Sequence, residues 1–274
     1  MLQFCINKKD RQMELKNSTI LITGGTSGIG LAFVKQLTEL GANIIVTGRS
    51  LEALRQTQQQ FPSIHIFQSD VSKPKDIKQL YNDVIRQFPE LNIIINNAGI
   101  MRLIDLQHTR DDLDSIISEI TTNLAGTIQM VHQFLPHLLQ QKSSAIVNVS
   151  SAIAFMAYSS APIYSASKAG VHAYSKVLRM QLEHTSVKVF EVIPPGVNTN
   201  LQNDWVLQPN PRQMMSVDKM VSIAVEGLLK NQLEIKPVLV KAIEVASRVA
   251  PAALMKFGHR EFEKFKRNNH EKER

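Results

Sequence analysis

One segment near the N-terminus reads Thr19-Ile20-Leu21-Ile22-Thr23-Gly24-Gly25-Thr26-Ser27-Gly28-Ile29-Gly30. Its apolar first half predicts a β-strand, and the residues after Gly30 have the apolar spacing of a helix. A glycine-rich turn from a strand into a helix presents backbone N–H groups at the positive end of the helix dipole, an arrangement that binds pyrophosphate. The glycine spacing differs from the common G-x-G-x-x-G pattern. We therefore predict a nucleotide-binding turn, with a plain surface loop as the alternative.

Strands and helices are predicted to alternate along most of the chain after this turn. Further strands are expected at residues 42–47, 63–68, 91–95, 145–149 and 187–193, with helices between them. Alternation without repeats or low-complexity linkers predicts one α/β domain, a doubly wound parallel sheet with helices on both faces. We place this domain at residues 13–235.

The two ends of the chain are expected to lie outside the domain. We expect residues 1–12 to form a disordered extension. The alternative is that the true start is Met13 and that the start codon was assigned too far upstream. We expect residues 236–274 to form a basic, helical tail that packs on or next to the domain. One apolar stripe of this tail is formed by Leu239, Ile243, Ala246 and Val249. The stripe is expected to cover the substrate pocket or a neighbouring subunit. Peripheral membrane contact is the disfavoured alternative, because glutamates dilute the basic run.

Composition argues against several classes of function. The formal net charge of +7 lies largely in the two ends, so solvated tails explain it better than nucleic-acid binding does. A single cysteine and the absence of zinc-ligand spacing predict no disulfide framework and no metal site. Neither a signal peptide nor an apolar run of membrane-spanning length is present, so we expect a cytoplasmic protein without a transmembrane segment.

A second segment carries side chains suited to proton transfer. Tyr164 and Lys168 would lie one turn apart on a helix predicted at residues 161–182. A nearby ammonium stabilises a phenolate, so Lys168 is expected to lower the pKa of Tyr164 from about 10. Ser151 follows the strand at 145–149, where open α/β sheets bind ligands. These residues predict general acid–base catalysis, although Tyr-x-x-x-Lys alone is often an ordinary surface pattern.

Polar residues also follow other predicted strands. Arg49 and Ser50 follow the second predicted strand, where an acidic residue often binds the ribose 2′-hydroxyl of NAD(H). An arginine at this position can instead bind the 2′-phosphate of NADP(H), so we predict NADP(H) over NAD(H). The alternative is that Arg49 is an ordinary solvated arginine. Residues 96–99, Asn-Asn-Ala-Gly, are small or amide residues at a strand end, and they would let the backbone approach a flat ring. The same residue types are also common in tight turns. Asn123 lies inside a helix predicted at residues 110–141, where asparagine is a mediocre helix former. Its position indicates that the side chain has a functional role as a hydrogen-bonding group. The alternative is an asparagine tolerated on a solvated face.

Together these motifs resemble the classical short-chain dehydrogenase/reductase family over residues 13–230. The resemblance is carried, in the family's order, by Thr23-Gly24-x-x-x-Gly28-x-Gly30, Asn96-Asn97-Ala98-Gly99, Asn123, Ser151 and Tyr164-x-x-x-Lys168. The Ile-Thr-Gly-Gly start, the turn at residues 47–50 and the Pro194-Pro195 pair are similar to DltE-type oxidoreductases. The resemblance implies a Rossmann-type fold and an oxidoreductase that transfers hydride between NADP(H) and a carbonyl or alcohol substrate. The competing interpretation is a non-catalytic nucleotide sensor or scaffold, which would not need the proton donor.

The resemblance also implies roles for individual residues. Tyr164 would protonate the substrate oxygen and Ser151 would orient it. Lys168 would bind the nicotinamide ribose and lower the tyrosine pKa, and Asn123 would hold a water in the proton relay. The implied cofactor contacts are Gly24, Thr26, Ser27, Gly28, Ile29, Gly30, Arg49, Ser50, Asp70, Val71, Asn97, Ala98, Gly99, Tyr164, Lys168, Val197 and Thr199.

Three features depart from the family pattern. Pro195 stands where a glycine usually follows the sixth strand, and Gly196 comes one place later. Ser27 stands where some NADP-dependent members carry a basic residue. The usual seventh strand and its glycine-rich end cannot be placed in the sequence.

The substrate pocket and the subunit contacts are less sharply defined. A mostly apolar pocket is expected from Phe155, Met156, Tyr158, Leu201, Trp205, Met214 and Met215, unless these residues pack the core, with residues 200–215 as a mobile lid. The resemblance implies a homodimer or homotetramer through residues 110–141 and 161–182. Four side chains could serve that interface or the sheet equally well: Ile128, Val131, Leu135 and Val177.

Overall fold

A seven-stranded parallel sheet forms the centre of the computed structural model, which describes residues 13–199, 201 and 214–272. The strands are β1 Thr19–Thr23, β2 Asn43–Gly48, β3 His65–Gln68, β4 Leu91–Asn96, β5 Ser144–Val149, β6 Val187–Val192 and β7 Glu234–Ile235. Their spatial order is β3-β2-β1-β4-β5-β6-β7. The order reverses between β1 and β4, which places a ligand-binding crevice at the carboxyl ends of these strands. The predicted doubly wound α/β fold is confirmed.

Helices cover both faces of the sheet. They are α1 Gly28–Glu39, α2 Leu51–Gln60, α3 Pro74–Gln87, α4 Leu113–Ile116, α5 Gly126–Leu138, α6 Pro162–Gln181, α7 Val217–Leu229, α8 Val238–Val249 and α9 Pro251–Lys272. Helices α1 and α7 pack on one face, where Phe33 and Met220 are buried. Helices α3, α5 and α6 pack on the other, where Phe134 and Leu178 are buried. The tail predicted to be helical is helical in the described residues.

Strand side chains alternate between the two faces, which explains the continuous apolar runs. In β1, Ile20 and Ile22 join the core beside α1 and α7, whereas Leu21 joins the core beside α3, α5 and α6. Ile93, Ile94 and Ile95 of β4 alternate in the same way. A strand covered by helices on both faces needs apolar residues at every position. Each such side chain contributes about 1.5–3 kcal/mol through burial.

Two predicted elements differ from the structure. The helix expected at residues 110–141 is instead a short α4, a π-helical segment Ile120–Ala125 and then α5. The strand that could not be placed is β7, which is two residues long and pairs in parallel with β6. So short a strand has no apolar run of its own, and β6 supplies its hydrogen-bonding partner.

Only part of the apolar stripe predicted for the tail faces the domain: Ile243 and Ala246 are partly buried, whereas the other two residues are exposed. Leu239 and Val249 are 59% and 76% exposed, respectively. Val240 is instead fully buried and packs with Phe155 and the partly buried Ile243. Because α8 has apolar residues around much of its circumference, the sequence alone does not show which side faces the sheet.

The residues proposed for subunit contacts divide into two groups. Val131 is buried in the core and Leu135 packs against it. Ile128 and Val177 remain at the surface. Only the second pair is therefore available to a neighbouring subunit without repacking the core.

Several sequence-based expectations lie outside the described residues. These are the N-terminal extension at residues 1–12 and most of the expected lid, including Trp205. Within the described ranges, no helix is long and apolar enough to cross a membrane. The same part of the chain contains no group of three or more His, Cys, Asp or Glu residues arranged to hold a metal ion.

Candidate active site

The turn between β1 and α1 requires glycine at three positions. Gly24 and Gly28 have φ angles of +65° and +51°, in the left-handed region that side chains disfavour. A Cβ atom on Gly30 would lie 2.2 Å from the Gly24 carbonyl oxygen and 2.5 Å from the Asn97 side-chain nitrogen. The backbone therefore approaches closely at the N-terminal end of α1. Such an end attracts the negative charge of a phosphate group.

The end of β4 is tied to this turn by hydrogen bonds. The backbone N–H groups of Asn97 and Ala98 both donate to the Thr23 hydroxyl, each at 3.0 Å. The Asn97 side-chain amide donates to the carbonyl oxygens of Thr23 and Gly24, at 3.0 and 3.1 Å. These contacts join the two strand ends on either side of the crevice. Thr23 is a site residue whose role the sequence analysis did not predict, because its bonding partners lie 74 and 75 residues away.

Asn123 lies in the π-helical segment and is 1% exposed. Its side-chain oxygen accepts from the Ile100 N–H at 2.9 Å, and its amide donates to the Ile100 carbonyl at 2.9 Å and to the Ser167 hydroxyl at 3.0 Å. The solvated-face alternative is therefore wrong. A wide π turn inside a helical region is a frequent feature of functional sites. Here it places an asparagine between the loop after β4 and helix α6.

Tyr164 and Lys168 lie on the buried side of α6, with exposures of 7% and 5%. The Lys168 ammonium lies 5.7 Å from the centre of the Tyr164 ring and donates a 2.9 Å hydrogen bond to the Val149 carbonyl at the end of β5. Ser151 follows β5 and forms a hydrogen bond with the Tyr164 hydroxyl. A Cβ atom on Gly99 would lie 3.6 Å from the Lys168 nitrogen and 3.3 Å from the Asn123 side-chain oxygen. The four residues predicted to be catalytic thus converge beside the glycine-rich turn.

Burial has the largest effect on the pKa values of Tyr164 and Lys168. It raises the pKa of the Tyr164 phenol to about 12, although the Ser151 hydrogen bond opposes this effect and the Glu119 charge reinforces it. Burial also lowers the pKa of Lys168 to about 8, against the charge of Glu191. The expected lowering of the Tyr164 pKa is therefore wrong for this structure, because desolvation by burial exceeds the opposing effect of the Ser151 hydrogen bond. At neutral pH the phenol retains its proton and the lysine is largely charged.

The residues predicted to contact the adenosine end of a nucleotide lie around β2 and β3. Arg49 is exposed, and its backbone carbonyl accepts from the Gln68 side chain at 2.8 Å. Ser50 caps α2 by accepting from the Ala53 N–H at 3.2 Å. Asp70 accepts from the backbone and hydroxyl of Ser72, at 3.0 and 2.7 Å. These bonds hold the loops after β2 and β3 in place, and Arg49 remains exposed.

The segment after β6 closes the crevice from the other side. Val197 pairs with Met215 in an isolated parallel bridge, and the Thr199 side chain would lie 3.2 Å from a Cβ atom on Gly28. The Pro194 carbonyl accepts from the Ala152 N–H at 2.8 Å. The unusual Pro-Pro sequence therefore still ties the end of β6 to the segment after Ser151. The remaining predicted contacts, Thr26, Ser27 and Ile29, lie in the glycine-rich turn itself.

A small cluster of apolar side chains surrounds Tyr164. Ile153 and Ala161 are buried with it, and Met101, Leu103 and Tyr158 pack against this cluster. Tyr158 was predicted as a pocket residue, whereas Met101 and Leu103 were not. Phe155 was predicted there as well, but it packs against α8. Of the predicted pocket residues, Tyr158 thus packs near Tyr164, whereas Phe155 does not belong to this cluster.

The sequence analysis did not predict a partly buried ion pair, Arg102 with Glu119, whose carboxylate acts on Tyr164. Glu119 is fully buried and accepts from the Arg102 backbone at 2.8 Å and from its guanidinium at 3.4 Å. The guanidinium also donates to the Ser115 carbonyl at 2.7 Å. These bonds fix the loop after β4 to the π-helical segment. A glutamate seventeen residues after an arginine gives no local pattern from which the pair could be predicted.

Helix α9 contacts two loops on either side of the apolar cluster. A Cβ atom on Gly258 would lie 2.6 Å from the Ala157 carbonyl oxygen, and the His259 ring nitrogen lies 3.2 Å from the Ser159 hydroxyl. Further along, Lys266 donates to the Gln107 side chain at 3.3 Å. The helix therefore spans from the loop before Tyr164 to the loop after β4.

A Rossmann-type sheet, a glycine-rich turn and a buried Tyr-x-x-x-Lys pair, with Ser151 bonded to the tyrosine and Asn123 next to the loop after β4, together fit a nucleotide-dependent oxidoreductase. The family model for short chain dehydrogenases matches residues 18–210, so the chain belongs to the short-chain dehydrogenase family. It is similar to an uncharacterised oxidoreductase, DltE, of Bacillus subtilis strain 168, with 38% identity over 237 residues, 86% of this chain and 94% of the relative. The resemblance to DltE-type oxidoreductases is confirmed.

Solved structures support the same fold. A short-chain dehydrogenase from Sphingobium yanoikuyae in complex with NADPH is 26% identical, with a TM-score of 0.74 over 87% of this chain and 95% of that chain. A short-chain dehydrogenase/reductase from Burkholderia phymatum in complex with NAD has a TM-score of 0.75 over 84% and 93% of the two chains. At 20% identity, the second comparison shows the fold alone. The chain is thus an oxidoreductase of this family.

Proposed function

We propose that the protein reduces a carbonyl substrate with NADPH, or oxidises the corresponding alcohol in the reverse direction. The observation that carries this proposal is the convergence of Ser151, Tyr164, Lys168 and Asn123 beside the turn that ends at Gly30. The turn fits a dinucleotide, because glycine at three positions lets the backbone approach a pyrophosphate. When bound, the nicotinamide supplies the hydride that the carbonyl carbon accepts.

The side chains provide the proton and position the substrate. Ser151 holds the carbonyl oxygen, and Tyr164 transfers its phenolic proton to that oxygen as negative charge develops on it. A pKa raised to about 12 by burial keeps this proton in place before the reaction. The Lys168 ammonium then stabilises the phenolate that forms, and it also binds the ribose next to the nicotinamide. Asn123 keeps the loop after β4 against α6 through its Ile100 and Ser167 contacts.

The activity is tested by the oxidation of NADPH with a panel of aldehydes and ketones, followed by the loss of NADPH absorbance. The proposal predicts turnover with at least one apolar carbonyl compound. A protein that binds NADPH and oxidises it with no member of a broad panel would contradict it.

For the cofactor, we propose a preference for NADP(H) over NAD(H). Both cofactors occur in related structures: NADPH in the Sphingobium protein and NAD in the Burkholderia one. The preference proposed here depends on Arg49, whose exposed guanidinium follows β2 and can pair with a 2′-phosphate. No carboxylate directly follows β2 to repel that phosphate.

Replacing Arg49 with Ala should therefore weaken NADPH binding about tenfold or more, because a charge-assisted contact to phosphate contributes about 1.5–3 kcal/mol. The dissociation constant of NADH should remain nearly unchanged. Arg55→Ala is the matched control, since Arg55 is an exposed arginine on α2, six positions further along. Equal loss of NADPH and NADH affinity, or tighter binding of NADH by the native protein, would reverse the proposed preference.

On the substrate side, we propose that residues 13–235 form the catalytic domain and that residues 236–274 complete its substrate pocket through α9. The support is the position of α9 across the loops that contain Ala157 and Gln107. A Gly258→Val change should displace this helix, because its Cβ would meet the Ala157 carbonyl oxygen at 2.6 Å. We expect KM for the carbonyl substrate to change about tenfold, while NADPH affinity is retained.

Ala253→Val is the control for this change. It adds a similar side chain at an exposed position of the same helix. The measurement is KM for substrate and the NADPH dissociation constant in both variants. An unchanged KM in Gly258→Val, or an equal change in both variants, would show that α9 does not shape the pocket.

A further inference from the structure

A buried carboxylate lies behind the catalytic residues. Glu191 on β6 is fully buried, and its side chain binds two partners. The Ser150 hydroxyl donates to Oε1 at 2.5 Å, and Nδ1 of His172 lies 3.0 Å from both carboxylate oxygens. Since a carboxylate can only accept, Nδ1 carries a proton. A glutamate is almost never fully buried unless it is paired, so its position requires an explanation.

Both partners adjoin residues of the proposed mechanism. Ser150 directly precedes Ser151, and its backbone N–H donates to the Val192 carbonyl at 2.9 Å. It follows Val149, whose carbonyl accepts the hydrogen bond from Lys168 at 2.9 Å. His172 lies one helical turn after Lys168 on α6. The carboxylate therefore joins the strand end that carries Ser151 to the helix that carries Lys168.

We propose that Ser150, Glu191 and His172 form a positioning network that keeps the Lys168 side chain charged and aligned with Ser151. The importance of that charge for catalysis rests on the proposed function, whereas the effect of the network on Lys168 does not. None of the three side chains needs to touch the substrate or the nucleotide. They act through the end of β5 and through the charge of Glu191.

Other charged groups lie near the network, and they pair among themselves. Beyond it, Arg179 on α6 and Lys236 after β7 bind Glu234 at 3.5 and 2.8 Å. Lys236 also binds Glu244 on α8 at 2.5 Å. On the side of Lys168 lie Tyr164 and, next to that phenol, Glu119. Among these, the negative charge that acts on Lys168 is that of Glu191.

The direction of the electrostatic effect follows from two opposing contributions. Burial lowers the pKa of Lys168 to about 8, and the charge of Glu191 opposes this. Removing the charge while keeping the side-chain shape must therefore lower the lysine pKa further. More of the ammonium would then lose its proton at neutral pH. A solely structural role for Glu191 would not produce this change in titration.

The test compares Glu191→Gln with Glu234→Gln by NMR titration of isotope-labelled lysine, with the Lys168 signal assigned through Lys168→Arg. The two glutamates are partners in the register of β6 and β7, so the same charge is removed from neighbouring strands. We expect Glu191→Gln to lower the Lys168 midpoint by about one pH unit or more, and Glu234→Gln to shift it far less. No shift in Glu191→Gln, or equal shifts in both variants, would overturn the proposal.

A measurement on the native protein covers the case in which Glu191→Gln does not fold. The labelled carboxyl carbon of Glu191, assigned through Glu191→Asp, should change its chemical shift as Lys168 titrates. A carboxyl chemical shift that stays constant while Lys168 titrates would also overturn the proposal. In turnover assays, the alkaline limb of kcat/KM should move to lower pH in Glu191→Gln. If the native protein reduces no carbonyl compound, the proposed function fails, whereas the titrations still decide the role of the network.

Discussion

Replacing Tyr164 with Phe is expected to lower kcat about a thousandfold, because a positioned general acid contributes about 10²–10⁴ to the rate. The phenylalanine ring fills the same space among Ile153, Ala161 and the surrounding apolar side chains, so the fold should persist. NADPH binding should also persist, since the glycine-rich turn and Lys168 are untouched. The variant loses the proton donor and the hydroxyl that bonds to Ser151. The measurements are kcat with a substrate of the native protein and the NADPH dissociation constant.

Tyr174→Phe is the matched control on the same helix. Tyr174 is partly buried, and burial raises the pKa of its phenol to about 12, as it does for Tyr164. It packs against the core beside α3, α5 and α6, ten positions after Tyr164 on α6, and not in the cluster around Tyr164. The control should retain near-native kcat. Comparable activity in Tyr164→Phe and the native protein would exclude the phenol as the proton donor.

Replacing Gly30 with Ala is expected to have the second largest effect. The new Cβ atom would lie 2.2 Å from the Gly24 carbonyl oxygen, a backbone atom that cannot move without changing the turn. Overpacking of this kind costs about 1–3 kcal/mol in stability. Since the displaced backbone is the proposed pyrophosphate site, NADPH affinity should fall at least about tenfold. Urea unfolding and nucleotide titration measure the two effects separately.

Gly48→Ala is the corresponding control at the end of β2. An added Cβ there would meet its nearest neighbours, the side chains of Thr26 and Leu54, at 3.7–3.9 Å, which is ordinary contact. Stability and NADPH affinity should therefore change little. A Gly30→Ala protein with native stability and native affinity would show that the turn has more room than the structure indicates.

The strands and the glycine-rich turn could be predicted because their signals are local. In β1, every residue is buried, so the apolar run marks the strand directly. The left-handed φ angles of Gly24 and Gly28 are the reason that glycine occurs there. Tyr164 and Lys168 could be paired from their spacing, since four residues make one helical turn.

Other features depend on contacts between distant parts of the chain. The pairing of Glu191 with His172 joins β6 to α6 across nineteen residues, and no sequence pattern connects them. The two-residue β7 exists as a strand through its pairing with β6. Asn123 was recognised as unusual in a helix, but its π-helical turn is stabilised by contacts to Ile100 and Ser167. The side of α8 that faces the core was only partly predicted: Ile243 packs there as expected, but Val240 is buried and Leu239 is exposed, although both are apolar.

The most direct test of the proposed reaction follows the hydride itself. NADPH carrying deuterium on its nicotinamide ring is incubated with native protein and a carbonyl substrate, and the alcohol is analysed by mass spectrometry and NMR. The account predicts deuterium on the former carbonyl carbon of the alcohol with the native protein, and almost none with Tyr164→Phe over the same time. Binding of NADPH without deuterium transfer by the native protein, or equal transfer by the variant, would contradict it.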